Sequence, residues 1–230
     1  MVENQFVYNE RSSLDFHIYC SGYGSYRTPS RDVTMLSVAG RDGDLTLDNG
    51  RFSNVDIVYK ALIYKDLAVN YKDFVSFMKS QRGYKRLEDT FHPAEFRIAV
   101  FKDAIEPNLH GYDAAGFEVT FNCKPQRYLK SGEEVIEVET SGTIFNPTSF
   151  DAKPLIRAYG NGTLTVGDQI LVISNISDYV DIDCEMLNAY KGSSNLNSKI
   201  AGTFPVLKAG ENEISFTGTK LEIEPRWFIL

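Results

Sequence analysis

Apolar and polar residues alternate with a period of two through most of the chain. Phe117, Val119, Phe121 and Cys123 fall on one side and Glu118, Thr120 and Asn122 on the other, the pattern of an antiparallel strand with one face on a core. Val55, Ile57, Tyr59 and Ile63 mark a second strand, and Phe96, Ile98 and Val100 a third. Later, Ile182, Cys184 and Met186 oppose Asp181, Asp183 and Glu185, which puts this acidic row on the wet face of a strand rather than around a metal. The period changes once. Tyr71, Phe74, Val75 and Met78 are spaced i, i+3, i+4, i+7, which predicts a helix over 70–81 capped by Asn70, with Asp73 near its positive end and Gly83 beyond its last turn.

The stretch SVAGRDGDLTLDNGR, residues 37–51, crowds glycines and aspartates between apolar runs. An EF-hand loop starting at Asp42 would need glycine at its sixth place, where Leu47 stands. Gly40, Gly43 and Gly50 fit no phosphate-binding or dinucleotide-binding spacing. A hairpin fits: Leu45 and Leu47 alternate with polar neighbours, and Asp48-Asn49-Gly50 supplies residues that tolerate positive φ.

From Ser131 to Pro154 the texture changes to SGEEVIEVETSG and NPTSFDAKP, a strand among loops and a domain junction. Beyond it, short strands are punctuated by Gly160-Asn161-Gly162, Gly167-Asp168 and Gly210-Glu211-Asn212, the spacing of a β-sandwich. Two domains, 1–131 and 132–230, suit a chain of 230 residues that is 43% hydrophobic and 13% aromatic. The formal charge of -7 disfavours a protein that grips nucleic acid by counterion release, yet suits a surface past which DNA slides. The start of the chain has no apolar stretch of signal-peptide length, and no run reaches the roughly 18 apolar residues of a membrane span.

Catalytic chemistry is sparse in the pattern. Cys20, Cys123 and Cys184 are odd in number and form no C-x-x-C, so they read as reduced, buried thiols. His17, His92 and His110 lie in no metal-ligand spacing, and no G-x-S-x-G elbow occurs. A carboxylate pair assembled from distant strands would be needed for a glycosidase. A sugar-binding module would need exposed aromatics, for which Tyr159, Tyr179 and Tyr190 are the candidates. The chain ends on LEIEPRWFIL with its single tryptophan, and an apolar terminus of this kind is expected to be docked, with Pro225, Arg226 and Trp227 holding it.

Taken in order, the segments SSLDFHIYCSGYGSY, SVAGRDGDL, GYKRLEDTF with EFRIAVF, FNCKPQRYLKSGE, NPTSFDAKPLIRAYGNG, IDCEMLNAY and LEIEPRWFIL resemble the distal tail proteins, Dit, of long-tailed phages that infect Gram-positive bacteria. The resemblance runs over nearly the whole chain and shows no large sugar-binding insertion. It implies a mainly β protein of two β-sandwich domains. The first, carrying one helix and a hairpin, would be a ring-forming domain related to the tail-tube fold. The second would be galectin-like, and the last strand could return toward the first domain. It further implies a structural hub, not an enzyme, with no metal or cofactor. Six copies would form a ring at the virion tail tip after synthesis in the host cytoplasm. The ring would join the tail tube to the tail-associated lysin and to receptor-binding proteins, with DNA passing through its lumen and no membrane involved. On this reading Gly40, Arg41, Asp42 and Gly43 belong to a hairpin at the ring interface, where Arg41 and Asp42 could bridge within a subunit or between subunits. The alternative function is a carbohydrate-binding module for adsorption to the host wall.

Overall fold

A computed structural model describes residues 3–230, and the protein is mainly β with one α-helix among those residues. The chain divides into two compact units, Met1–Arg127 with Leu230, and Tyr128–Ile229.

In the first unit, seven strands hydrogen-bond side by side in the order Arg11–Ser12, Phe6–Tyr8, Lys85–Asp89, Glu95–Phe101, Ala115–Leu129, Val55–Ile63, Ile18–Ser21. Three strands separate Phe6 from Tyr59 in that order, which in a flat sheet would hold them about 19 Å apart. Their ring centroids are 5.2 Å apart, and the Phe6 and Phe121 rings meet at 5.3 Å. The sheet is therefore folded over on itself, so that its apolar face encloses one core. The alternation read from the sequence is the cause: Val55, Ile57, Tyr59, Ala61 and Ile63 are all buried, as are Phe117, Val119, Phe121 and Cys123 across the ladder.

The helix runs Leu67–Ser80 and sends Phe74 and Met78 into this core, with Tyr71 and Val75 packed at its margin. It starts a turn earlier than the pattern predicts. Asp113, from a loop far along the chain, accepts the amides of Asp66 and Leu67 at 3.1 and 2.8 Å, so Asn70 is not the cap and instead donates to the Lys65 carbonyl from inside the first turn.

A second departure lies on the strand Glu95–Phe101. Its fully buried residues are Arg97, Ala99 and Phe101, while Phe96, Ile98 and Val100 are only half-buried. Phe96 is covered from outside by the Arg86 guanidinium, 3.7 Å from the ring centroid. Ala99 is small enough to sit beneath Tyr8, whose hydroxyl donates to its carbonyl. Alternation fixed the strand but not which side faced the core.

The second unit stacks two sheets. One has the order Ile136–Val138, Lys220–Glu224, Leu155–Tyr159, Tyr179–Asp183, Asn188–Lys191, Ser194–Asn195, and the other Ser141–Asn146, Gly210–Phe216, Gly162–Val166, Gln169–Ile173, Ile200–Gly202. Ile156, Val180, Ile182, Leu221 and Ile223 from the first meet Ile144, Leu164, Leu171, Ile214 and Phe216 from the second in one core. The NPTSF segment has a structural purpose here. Buried Asn146 donates to the carbonyls of Phe150 and Leu207 at 2.9 and 3.0 Å and accepts from Thr148, so all its polar capacity is used.

Candidate functional site

The hairpin exists, with a different turn. Strands Arg31–Leu36 and Leu45–Phe52 pair in the register Leu36↔Leu45 and Thr34↔Leu47, so the turn spans 37–44 and holds Gly40 and Gly43, both at positive φ. Asp48-Asn49-Gly50, expected as the turn, lies inside the second strand, where the register shifts between Arg31 and Val33. The Asp48 carboxylate accepts the Gly50 amide at 2.8 Å and Gly50 takes φ 70°, which makes this a bulge rather than a reversal.

This hairpin forms a two-stranded sheet of its own. Thr34, Leu36, Leu45 and Leu47 share one face and Val33, Met35, Thr46 and Asp48 the other. Its apolar side chains Val33, Met35, Leu36, Leu45 and Leu47 are each between 40% and 55% exposed. An isolated two-stranded hairpin is marginal in water, and this one is braced near its base by polar contacts. Arg31 Nη1 meets Asp48 Oδ2 at 2.7 Å, and Asp32 accepts Arg51 Nε at 2.6 Å and Asn49 Nδ2 at 2.9 Å. The Asn49 amide, then Arg51, hold the Asp32 carboxyl below its ordinary range, and the Gly50 amide followed by Arg31 does the same for Asp48. Arg41 and Asp42 are exposed at the turn, and among the described residues no ion pair joins them.

The predicted docking residues at the chain's end are all held inside the second unit. Trp227 is 4% exposed and belongs to its core, and Pro225 is buried. The Trp227 carbonyl accepts the Leu129 amide at 2.8 Å, and the Arg226 amide donates to Gly132 at 2.8 Å. A Cβ on Gly132 would lie 2.4 Å from the Trp227 nitrogen. Glycine is therefore required at 132, a position that sequence reasoning passed over because its constraint comes from residues nearly a hundred positions away.

Arg226 corrects the reading of the acidic row. Asp181 and Asp183 are 7% and 5% exposed, not on a wet face. Arg226 reaches Asp183 with Nη1 and Nη2 at 3.1 and 3.2 Å, and Arg157 holds Asp181 with Nε and Nη2 at 2.7 and 3.1 Å. Each carboxylate is buried beneath its own bidentate guanidinium. Asp183 also ends the strand by accepting the amides of Glu185 and Met186, both at 3.0 Å, which leaves Met186 74% exposed beyond the strand. Burial pulls the Arg226 pKa down, but Asp183 outweighs it and the net shift is upward.

The aromatic residues nearest a sugar-binding role share the outer face of the same sheet. Tyr179 has Arg157 and Lys191 each 4.5 Å from its ring centroid, and Tyr159 has Lys220 at 4.8 Å. Cations cover the surfaces a pyranose ring would stack on. Tyr190 is half-buried opposite Asp181. Glu222, next to this group, is held low by a hydrogen bond from Lys220 and by Tyr159, the reverse of what a general acid for glycoside hydrolysis requires. The three cysteines are buried, and burial pushes each thiol up to about 12, so none offers a thiolate near neutral pH. Among the described residues no three His, Cys, Asp or Glu side chains are grouped to hold a metal, and no helix is long and apolar enough to cross a membrane.

A two-unit, mainly β chain with a folded-over sheet, one helix and a detached hairpin is the arrangement these residues define. It is a Dit-like fold. Among the solved structures that it resembles is the Dit protein (gp 19.1) of phage SPP1, described as a paradigm of the hub adsorption apparatus in phages infecting Gram-positive bacteria. The match has a TM-score of 0.75 at 12% identity and covers 96% of this chain and 97% of that one. No family model matches the chain, and no curated protein matches it in sequence.

Proposed function

We propose that this chain is a structural hub protein of a phage tail tip, six copies of which close into a ring between the tail tube and the tail-associated lysin, with receptor-binding proteins attached. The observation that carries this reading is the likeness to SPP1 Dit over almost the full length of both chains. The hairpin supports the assembly part of it. Five exposed apolar side chains on an element that no other strand supports favour cover by a neighbouring copy, and a cyclic ring needs such a patch to meet a different patch on the next subunit. On this reading residues 1–131 close the ring through Gly40, Arg41, Asp42, Gly43 and the strands beside them. Residues 132–230 form the galectin-like part, and the acidic chain lets DNA pass without retention. The protein acts as a scaffold without catalytic activity or cofactor, and its place is the tail tip of the virion.

The test is a pair of hairpin substitutions. Leu36→Asp with Leu47→Asp puts two carboxylates on one hairpin face that the fold of either unit does not use. Light scattering should show rings for the parent chain and folded monomers for the double variant, with unchanged circular dichroism. Rings that persist in the double variant would remove the hairpin from the interface; a monomeric parent chain at every concentration would remove the ring.

A further inference from the structure

Three dipeptides in this chain have a backbone that is chemically least durable if left free, Asp42-Gly43 and Asn49-Gly50 in the hairpin and Asn161-Gly162 in the second unit. In such a pair the glycine amide nitrogen attacks the side-chain Cγ of the residue before it, since no Cβ hinders the approach. Asparagine is the more reactive of the two residue types, so by sequence Asn49 is the hairpin's weak point.

The geometry reverses that order. Attack at Asn49 requires its carboxamide to swing toward the Gly50 nitrogen, but Nδ2 is tied to Asp32 at 2.9 Å and the Gly50 N–H is tied to Asp48 at 2.8 Å. Both the electrophile and the nucleophile are held, and the Asp48 carboxylate opposes loss of the amide proton that attack needs. At Asn161-Gly162 the side chain is held, accepting the Ile176 amide at 2.9 Å. Asp42-Gly43 has no such restraint. Asp42 makes no side-chain hydrogen bond or ion pair among the described residues, and Gly43 has φ 76° with no atom within 4 Å of where a Cβ would stand.

We propose that Asp42-Gly43 is a spontaneous isomerisation site of the hairpin turn, and that the carboxylates of Asp32 and Asp48 shield Asn49-Gly50 from the same chemistry. At Asp42 the Gly43 nitrogen gives up its proton to water and bonds to Cγ, and the carboxyl C–OH bond breaks with loss of water to leave a succinimide. Water then adds to the main-chain carbonyl of that ring and its C–N bond breaks. The product is isoaspartate, in which the backbone runs through the side chain and is one carbon longer. The two steps lose and regain one water, so mass is unchanged. At Asn49 the first step would release ammonia instead, and the net product would be about 1 Da heavier. The proposal concerns the free chain and stands independently of the ring reading.

The variant Asp42→Asn places Asn-Gly at both sites of one molecule, so that only their surroundings differ. Full-length D42N held at neutral pH, then digested and weighed, should gain about 1 Da at position 42 on the order of tenfold faster than at Asn49, because two hydrogen bonds must break first at the latter. Equal rates, or a faster Asn49, overturn the shielding. Adding Asp32→Ser and Asp48→Ser to D42N should bring the Asn49 rate up toward that of position 42; an unchanged rate also overturns it. In the native chain, enzymatic isoaspartyl methylation should label the peptide containing Asp42, and a label confined to other peptides overturns the isomerisation.

Discussion

Gly132 and Arg226 show how single residues set the second unit's fold. With the Trp227 backbone 2.4 Å from a notional Cβ, Gly132→Ala must displace the closing segment, and we expect a loss of about 1–3 kcal/mol, read as a lower melting temperature. Trp227→Ala empties a core site and should cost about 3–5 kcal/mol. Arg226→Ala leaves Asp183 buried with only backbone donors, so it should destabilise strongly, whereas Asp183→Asn with Arg226 removed should recover part of the loss in a double-mutant cycle. Arg97 has the opposite expectation. It is 7% exposed, one of its terminal nitrogens makes no hydrogen bond, and burial lowers its pKa, so Arg97→Met should leave the melting temperature unchanged or raise it. A marked fall would show that the guanidinium has a partner worth more than its desolvation cost.

At the scale of elements, the hairpin should respond to acid before the sheets do. Asp32 and Asp48 have depressed folded-state pKa values. Their contribution is therefore present above the ordinary carboxylate pKa of about 3.9 and lost as pH falls through the lowered values. Amide exchange across residues 31–52 should quicken in that acidic window while the strand Val55–Ile63 stays protected. No selective change there would mean that the Asp32 and Asp48 carboxylates do not hold the hairpin. Elements of this kind were unevenly legible in the sequence. The strands around Val55 and Phe117 and the Tyr71 to Met78 stripe followed from spacing alone, because each buries one face against a local core. The hairpin's turn was misplaced since Asp48-Asn49-Gly50 suits a bulge as well as a reversal, and only cross-strand register separates them. The inward side of Glu95–Phe101, the Asp113 cap and the buried aspartates were hidden for a common reason: each depends on a side chain supplied from elsewhere in the fold.

At the scale of the molecule, the described residues form two cores and a hairpin paired with none of the three larger sheets. The exposed hairpin is the surface on which the proposed ring rests, and the covered faces of Tyr159 and Tyr179 argue against a glycan-binding module. Calorimetry with simple galactosides should accordingly show no saturable binding. The most direct test of the central claim is the mass of the full chain under native conditions across a range of concentrations. The account predicts a closed species of six copies of the 25.9 kDa chain, with no open series of intermediate sizes. A chain that stays at the mass of one copy at every concentration would contradict it.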